Sequence, residues 1–230
     1  MTFEGFPPAG LAFLADLAQN NNRDWFEANR DVYQTALLEP ALAFVVTLGE
    51  RLRELAPHIQ FDTRTNGAGS LMRVHRDVRF AKDKSPYHDY VSGLLWEGAG
   101  KKNECPAFGF QLIPAGLGLM AGQFMFTKPG LIAYRGAVLN DQSGPRLATI
   151  LDDLRGRPGY EVGGMALKKV PRGFDSDHPR AELLRFKGLY AHPPRLEGPI
   201  LSSPDLVDAC MAHFEVMAPL QQWLAQATQS

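Results

Sequence analysis

Cysteine is scarce in this chain. Cys105 and Cys210 are the two present among 230 residues. They lie far apart with no C-x-x-C spacing, which excludes a disulfide-stapled scaffold and a zinc ribbon. Two reduced, partly buried thiols are expected instead. An excess of either charge is lacking too: 24 Lys and Arg stand against 25 Asp and Glu, so the chain cannot coat a polyanion by bulk charge. No apolar run approaches the roughly 18 residues of a membrane span. The opening M-T-F-E-G-F-P-P has neither the basic region nor the apolar stretch of a signal peptide, so the cytoplasm is the expected setting and no membrane partner is expected. H-x-x-x-H, H-x-H and G-x-S-x-G are all missing, which removes the usual helical zinc site and the hydrolase nucleophile elbow. No metal site and no cofactor is expected.

What is present is an ordinary globular composition, 45% hydrophobic and 21% charged, and a length that suits one domain over residues 1–230. The first third has a helical period. Leu11, Phe13, Leu14 and Leu17 form an apolar stripe that ends at Asn20, Asn21 and Asn22. Asn22 or Asp24 can cap a second helix bearing Trp25, Phe26, Val32 and Tyr33, with Glu27 placed as in a capping box. A third helix is expected after Pro40, with Leu42, Val45, Leu48, Leu52 and Leu55 on one face and Pro57 ending it.

The middle third changes to period two. Between 71 and 80, Met72, Val74, Val78 and Phe80 alternate with Arg73, His75, Asp77 and Arg79, which predicts a strand with one buried face. Further strand-like runs cover 90–96, 107–113 and 117–126, separated by turn-like segments. In the last third, 129–139 and 146–154 have helical periods, and 156–174 is irregular with short strands. The chain closes on a helix capped by Ser203, with Pro204 first and an apolar face running from Leu206 through Phe214 to Leu224. The expected class is α+β: an antiparallel β-meander over about residues 70–126, flanked by N-terminal and C-terminal helices.

The charge of this balanced chain is unevenly spread. Arg73, Arg76, Arg79, Lys82 and Lys84 face only Asp77 and Asp83 between positions 73 and 88, in a chain of formal net charge −1. On a strand, Arg73, His75, Asp77 and Arg79 would share a face, with about 7 Å between alternate residues. Guanidinium forks at that spacing suit phosphate or carboxylate oxygens. Asp77 would orient the arginines, and Tyr87 would add a hydroxyl. Arg76 would point to the apolar face and need a buried partner, with the neighbours of Asp77 across the sheet, or Asp24 and Glu27 on the second helix, as candidates. Arg135 and Lys187 are second-tier candidates for the same site, with His75 and Arg76.

The string R-V-H-R-D-V-R-F-A-K-D-K-S-P-Y, residues 73–87, resembles the hallmark R-x-x-R-D-x-R-F-S-K-D-K-x-P-Y of a bacterial and fungal family called domain of unknown function 2461. An N-terminal F-L-x-x-L-x-x-N-N-x-x-x-W-F stretch is similar to Phe13, Leu14, Leu17, Asn20, Asn21, Trp25 and Phe26, allowing a one-residue shift in the asparagines. A later P-x-G-F-D-x-D-H-P-x-x-x-L-L stretch matches from Pro171 through Asp175, Asp177 and His178 to Leu184. Ala81 stands where the family usually has Ser, and His88 where Lys or Arg is common. The resemblance implies a widespread soluble domain and carries over no activity.

Three readings follow from these residues. The first is a site for a small anionic molecule. The second ranks below it: a weak contact to nucleic acid, with Phe80, Tyr87 and Tyr90 interleaved among cations. The third makes the basic segment an internal ion-pair network in a structural or interaction protein. Asp175, Asp177 and His178 are expected to form a turn rather than a metal site. Gly67-Ala68-Gly69-Ser70 lacks the lysine of a phosphate loop. Oligomeric state and catalytic activity stay open at this point.

Overall fold

The computed structural model describes residues 2–228. Helix α1 (Pro8–Gln19) and the short α2 (Arg23–Ala28) lead into a long α3 (Arg30–Leu52). Strands β1 (Val91–Trp96), β2 (Ala107–Ile113) and β3 (Gly116–Gln123) form the meander. Helices α4 (Lys128–Leu139) and α5 (Ser143–Arg155) follow, then β4 (Glu161–Gly163), β5 (Leu189–His192) and the closing α6 (Leu206–Thr228). The strands make one antiparallel sheet in the order β1-β2-β3-β5-β4. This is the expected α+β class, with helices from both ends of the chain.

Asn22 caps α2, its Oδ1 accepting from the Trp25 N–H at 3.0 Å. Glu27 turns away from any capping box and pairs with Arg30. The third helix does not wait for Pro40. It starts ten residues earlier, through a π-helical turn over Tyr33–Leu38. Pro40 cannot donate to the Ala36 carbonyl four residues back, and α1 packs there through Gly10, where a Cβ would stand 2.1 Å from that carbonyl oxygen. By length and composition α3 is apolar enough to cross a membrane, contrary to the expectation that no run came near this. Its Phe44, Val45, Leu48 and Leu52 are fully buried in the core of this fold.

Register sorts the sheet into two faces. Leu95, Phe108, Phe110, Leu112, Leu119 and Ala121 point to the core. There α6 packs along β3, with Phe214 edge-on to Phe108 at 5.1 Å. The other face carries Ser92, Leu94, Gly109, Gln111, Gly118, Met120 and His192, and lines a groove of about 850 Å³.

One expected strand is absent. Residues 71–80 bridge to the sheet only at Leu71, opposite Gly93, and their other bridge, His75 to Tyr87, lies within the segment itself. After Met72 donates to the Ser92 carbonyl at 2.9 Å, the chain folds back on itself: Arg76 N–H reaches Pro86 O at 2.8 Å, and His88 N–H reaches Val74 O at 2.7 Å. Side chains take three further backbone groups. Asp77 Oδ1 accepts from the Arg79 N–H, Asp83 Oδ1 from the Ser85 N–H, and Lys84 Nζ donates to the Val78 carbonyl. Local side-chain bonds of this kind displace a ladder. Phe80, expected on a buried face, is 95% exposed.

Candidate functional site

The looped basic segment is clamped at both ends. At its start, Lys102 Nζ donates to the carbonyls of Gly69, Ser70 and Leu71, and burial lowers the pKa of that ammonium. At its end, the Asn21 amide brackets Tyr87. Nδ2 donates to the Tyr87 carbonyl at 2.9 Å, and the Tyr87 N–H donates to Oδ1 at 3.0 Å. Phe26 stacks on the Tyr87 ring, with 4.1 Å between centroids and 13° between planes. Tyr87 is therefore a packing residue, 3% exposed.

Between the clamps the expected site residues separate. Arg79 grips Asp77 through Nε and Nη2, at 2.9 and 2.7 Å, on an exposed loop. That pairing holds the Asp77 carboxyl down at about 2. Arg76 is half-buried although the strand expected to turn it inward is absent, and its partner is neither Asp24 nor Glu27. Its Nη1 donates to Asp83 Oδ2 at 2.5 Å and to the Ser85 carbonyl at 3.1 Å. The Ser85 hydroxyl and N–H, with Arg76, hold Asp83 well below the usual carboxylate range. Lys82 and Lys84 lie on the exposed turn. Asp77 thus orients Arg79 and not Arg73.

Arg73 goes elsewhere. It lines a cleft of about 520 Å³ between the basic segment and the start of α3, bordered by His75, Arg30, Tyr33, Gln34 and Asn66. Arg73 Nε donates to the Asn66 carbonyl at 2.7 Å. No carboxylate among the described residues pairs with its terminal nitrogens. Gly67 makes this position available: its φ is +86°, and a Cβ there would lie 2.4 Å from Arg73 Nε. The loop dismissed as a phosphate loop therefore shapes the cleft through Asn66 and Gly67. Across the cleft, Arg30 is held by Glu27 in a two-pronged pair, which raises the arginine pKa and lowers that of the carboxyl. His75 packs its ring against Phe26 and Tyr87.

Arg135 and Lys187 do not join this cluster. Arg135 Nε donates to the Leu184 carbonyl at 3.2 Å, with its guanidinium over Phe174. Lys187 lies two residues before β5, so β3 and β2 stand between it and the β1 edge that carries the segment. Asp175 and His178 form turns, accepting from the backbone N–H groups of Asp177 and Arg180. Sequence reading missed Arg30, Gln34 and Asn66. For Gln34 the available signal was the awkward Pro40, beside the wide helical turn over Tyr33–Leu38 that brings Tyr33 and Gln34 to the cleft.

Fold and contacts together define an α+β domain with an open-faced antiparallel sheet and a looped basic segment clamped beside its first strand. The chain belongs to the family described as "Conserved hypothetical protein (DUF2461)", which it matches over residues 9–223, from α1 into α6. Comparison with curated proteins finds no match.

Proposed function

We propose that residues 1–230 act as one cytoplasmic domain that binds a small phosphate- or carboxylate-bearing molecule in the cleft between α3 and the basic segment. One observation carries this reading. Of the motif's arginines, Arg73 lines a concave surface with only its Nε engaged, by the Asn66 carbonyl, and its terminal nitrogens uncommitted, whereas Arg76 and Arg79 each hold a carboxylate. Arg73 and Arg30 are balanced there by Glu27 and by Asp31, which also lines the cleft, so the oxyanion is drawn by the free terminal N–H groups of Arg73 rather than by net charge. His75 and Gln34 add donors of adjustable geometry.

Titration calorimetry with pyrophosphate and with citrate tests it. Arg73→Ala is expected to weaken binding by about tenfold or more, the loss of one charge-assisted contact, while Arg79→Ala binds as wild type. Equal effects of the two substitutions, or no heat from wild type at millimolar ligand, would reject the cleft.

A second reading rests on Phe80, whose ring stands free with Arg79 over its face at 5.9 Å. An exposed ring among Arg79, Lys82 and Lys84 suits a stacked base and its phosphates. It requires a mobility shift with single-stranded oligonucleotide that fades steeply with salt and disappears in Phe80→Ala.

A further inference from the structure

The uncovered sheet face poses a question that the basic segment does not answer. Gly118 sits in the middle of β3, where glycine weakens a strand. Nothing in the fold requires it. Its φ lies outside the left-handed region, and a Cβ would meet only Gln111 O at 3.8 Å and Arg195 Nε at 4.0 Å, which are ordinary contacts. Glycine at such a place marks the close approach of something from outside the sheet.

The surroundings specify its chemistry. Arg195 lies along β3 over Gly116, with its Nε brought to the floor beside Gly118, and it pairs with no carboxylate among the described residues. Leu94 and Met120 close over Gly109 as an apolar floor, where a Cβ would meet each at 2.8 Å. Phe124, half exposed, stacks on Tyr190 and presents a flat wall. On the neighbouring strand, His192 Nδ1 lies 2.8 Å from the Leu119 carbonyl. A carbonyl only accepts, so Nδ1 carries the proton and Nε2 of the neutral ring is left as an acceptor. His192 pairs across strands with Glu161, a second acceptor that lines the groove.

From this arrangement we infer a second ligand site, distinct from the Arg73 cleft. It takes a planar aromatic molecule with an oxyanion at one end and a hydrogen-bond donor at the other. The oxyanion meets Arg195 beside Gly118. The donor meets His192, beside Met120 on the adjacent β5, two residues along and one strand across from Gly118, about 8 Å away, with Glu161 one strand further out on β4. That separation matches a fused pair of six-membered rings.

The probe is 6-hydroxy-2-naphthoate, followed by its own fluorescence, with 2-naphthol as the analogue lacking the carboxylate. Wild type is expected to bind it saturably and to shift the amide resonances of Gly109, Gly118 and Met120. Arg195→Gln is expected to weaken the naphthoate by about tenfold and leave naphthol unchanged. Gly118→Val, whose Cβ makes only ordinary contacts in the fold and whose branching favours a strand, is expected to abolish binding of both without lowering Tm. Arg73→Ala is expected to bind the probe as wild type does, which separates this site from the cleft. The inference is overturned if Gly118→Val binds normally, if Arg195→Gln affects both compounds alike, or if the resonance shifts fall around Arg73 and His75. Lack of saturation at millimolar probe overturns it as well.

Discussion

With its carbonyl oxygen accepting from the Tyr87 N–H and its amide nitrogen donating to the Tyr87 carbonyl, Asn21 satisfies both main-chain groups of a residue 66 positions away. It stands in for a strand neighbour at a point where the chain has left the sheet. Alanine there would strand two partly buried backbone groups, so Asn21→Ala is expected to destabilise by about 1 to 3 kcal/mol. Urea denaturation measures this, and an unchanged midpoint would contradict the clamp. The adjacent Asn22 has an unrelated task as the cap of α2. Two like residues side by side therefore do different things, and only the second was legible in sequence. A cap acts within three residues, whereas the partner of Asn21 is set by how α1 and α2 meet the end of the basic segment.

At the scale of elements, the basic segment behaves as a self-closed loop with two internal ion pairs of unequal setting. Arg76 is 24% exposed and also serves the Ser85 carbonyl, whereas Arg79 and Asp77 are 76% and 61% exposed. Exposed pairs contribute little to stability. Arg76→Ala is therefore expected to lower Tm by about 2 to 4 °C and Arg79→Ala to leave it unchanged. Equal losses in thermal melts would restore the reading of the segment as a uniform ion-pair network. The segment also shows why period alone misled. Strand-like runs bounded by turns mark β1, β2 and β3 within a few residues, because there one set of side chains faces a core and the backbone finds a ladder. Between 73 and 80 alternation is present, yet Asp77, Asp83 and Lys84 satisfy the backbone locally, and no strand forms. The cleft was half legible for the same reason. Arg73 and His75 stood out by charge, whereas Asn66 and Gln34 enter it only through a glycine turn and a π-helical turn that carry no charge signal.

Across the whole molecule, two histidines far apart in the fold share an electrostatic predicament. His88 lies where the basic segment rejoins β1, and His213 lies on α6 with Nδ1 2.7 Å from the Tyr160 hydroxyl. Burial lowers the pKa of both. For His88 the charge of Arg76 lowers it further, against a smaller opposing effect of Asp89. Each ring is thus favoured neutral in the fold and takes up a proton more readily when the chain unfolds. The stability they contribute is fully present above the ordinary histidine value of about 6.5 and drains away as pH falls toward their folded values. The carboxylates act in a separate window. Asp62, Asp77 and Asp83, held low by their hydrogen bonds and ion pairs, lose their contribution only below the ordinary Asp value of about 3.9. Urea midpoints are therefore expected to fall between about pH 7.5 and pH 5.5, a range in which those aspartates stay ionised. The double variant His88→Gln, His213→Gln is expected to flatten that slope. A slope that persists in the double variant would assign the acid sensitivity to groups other than these two rings.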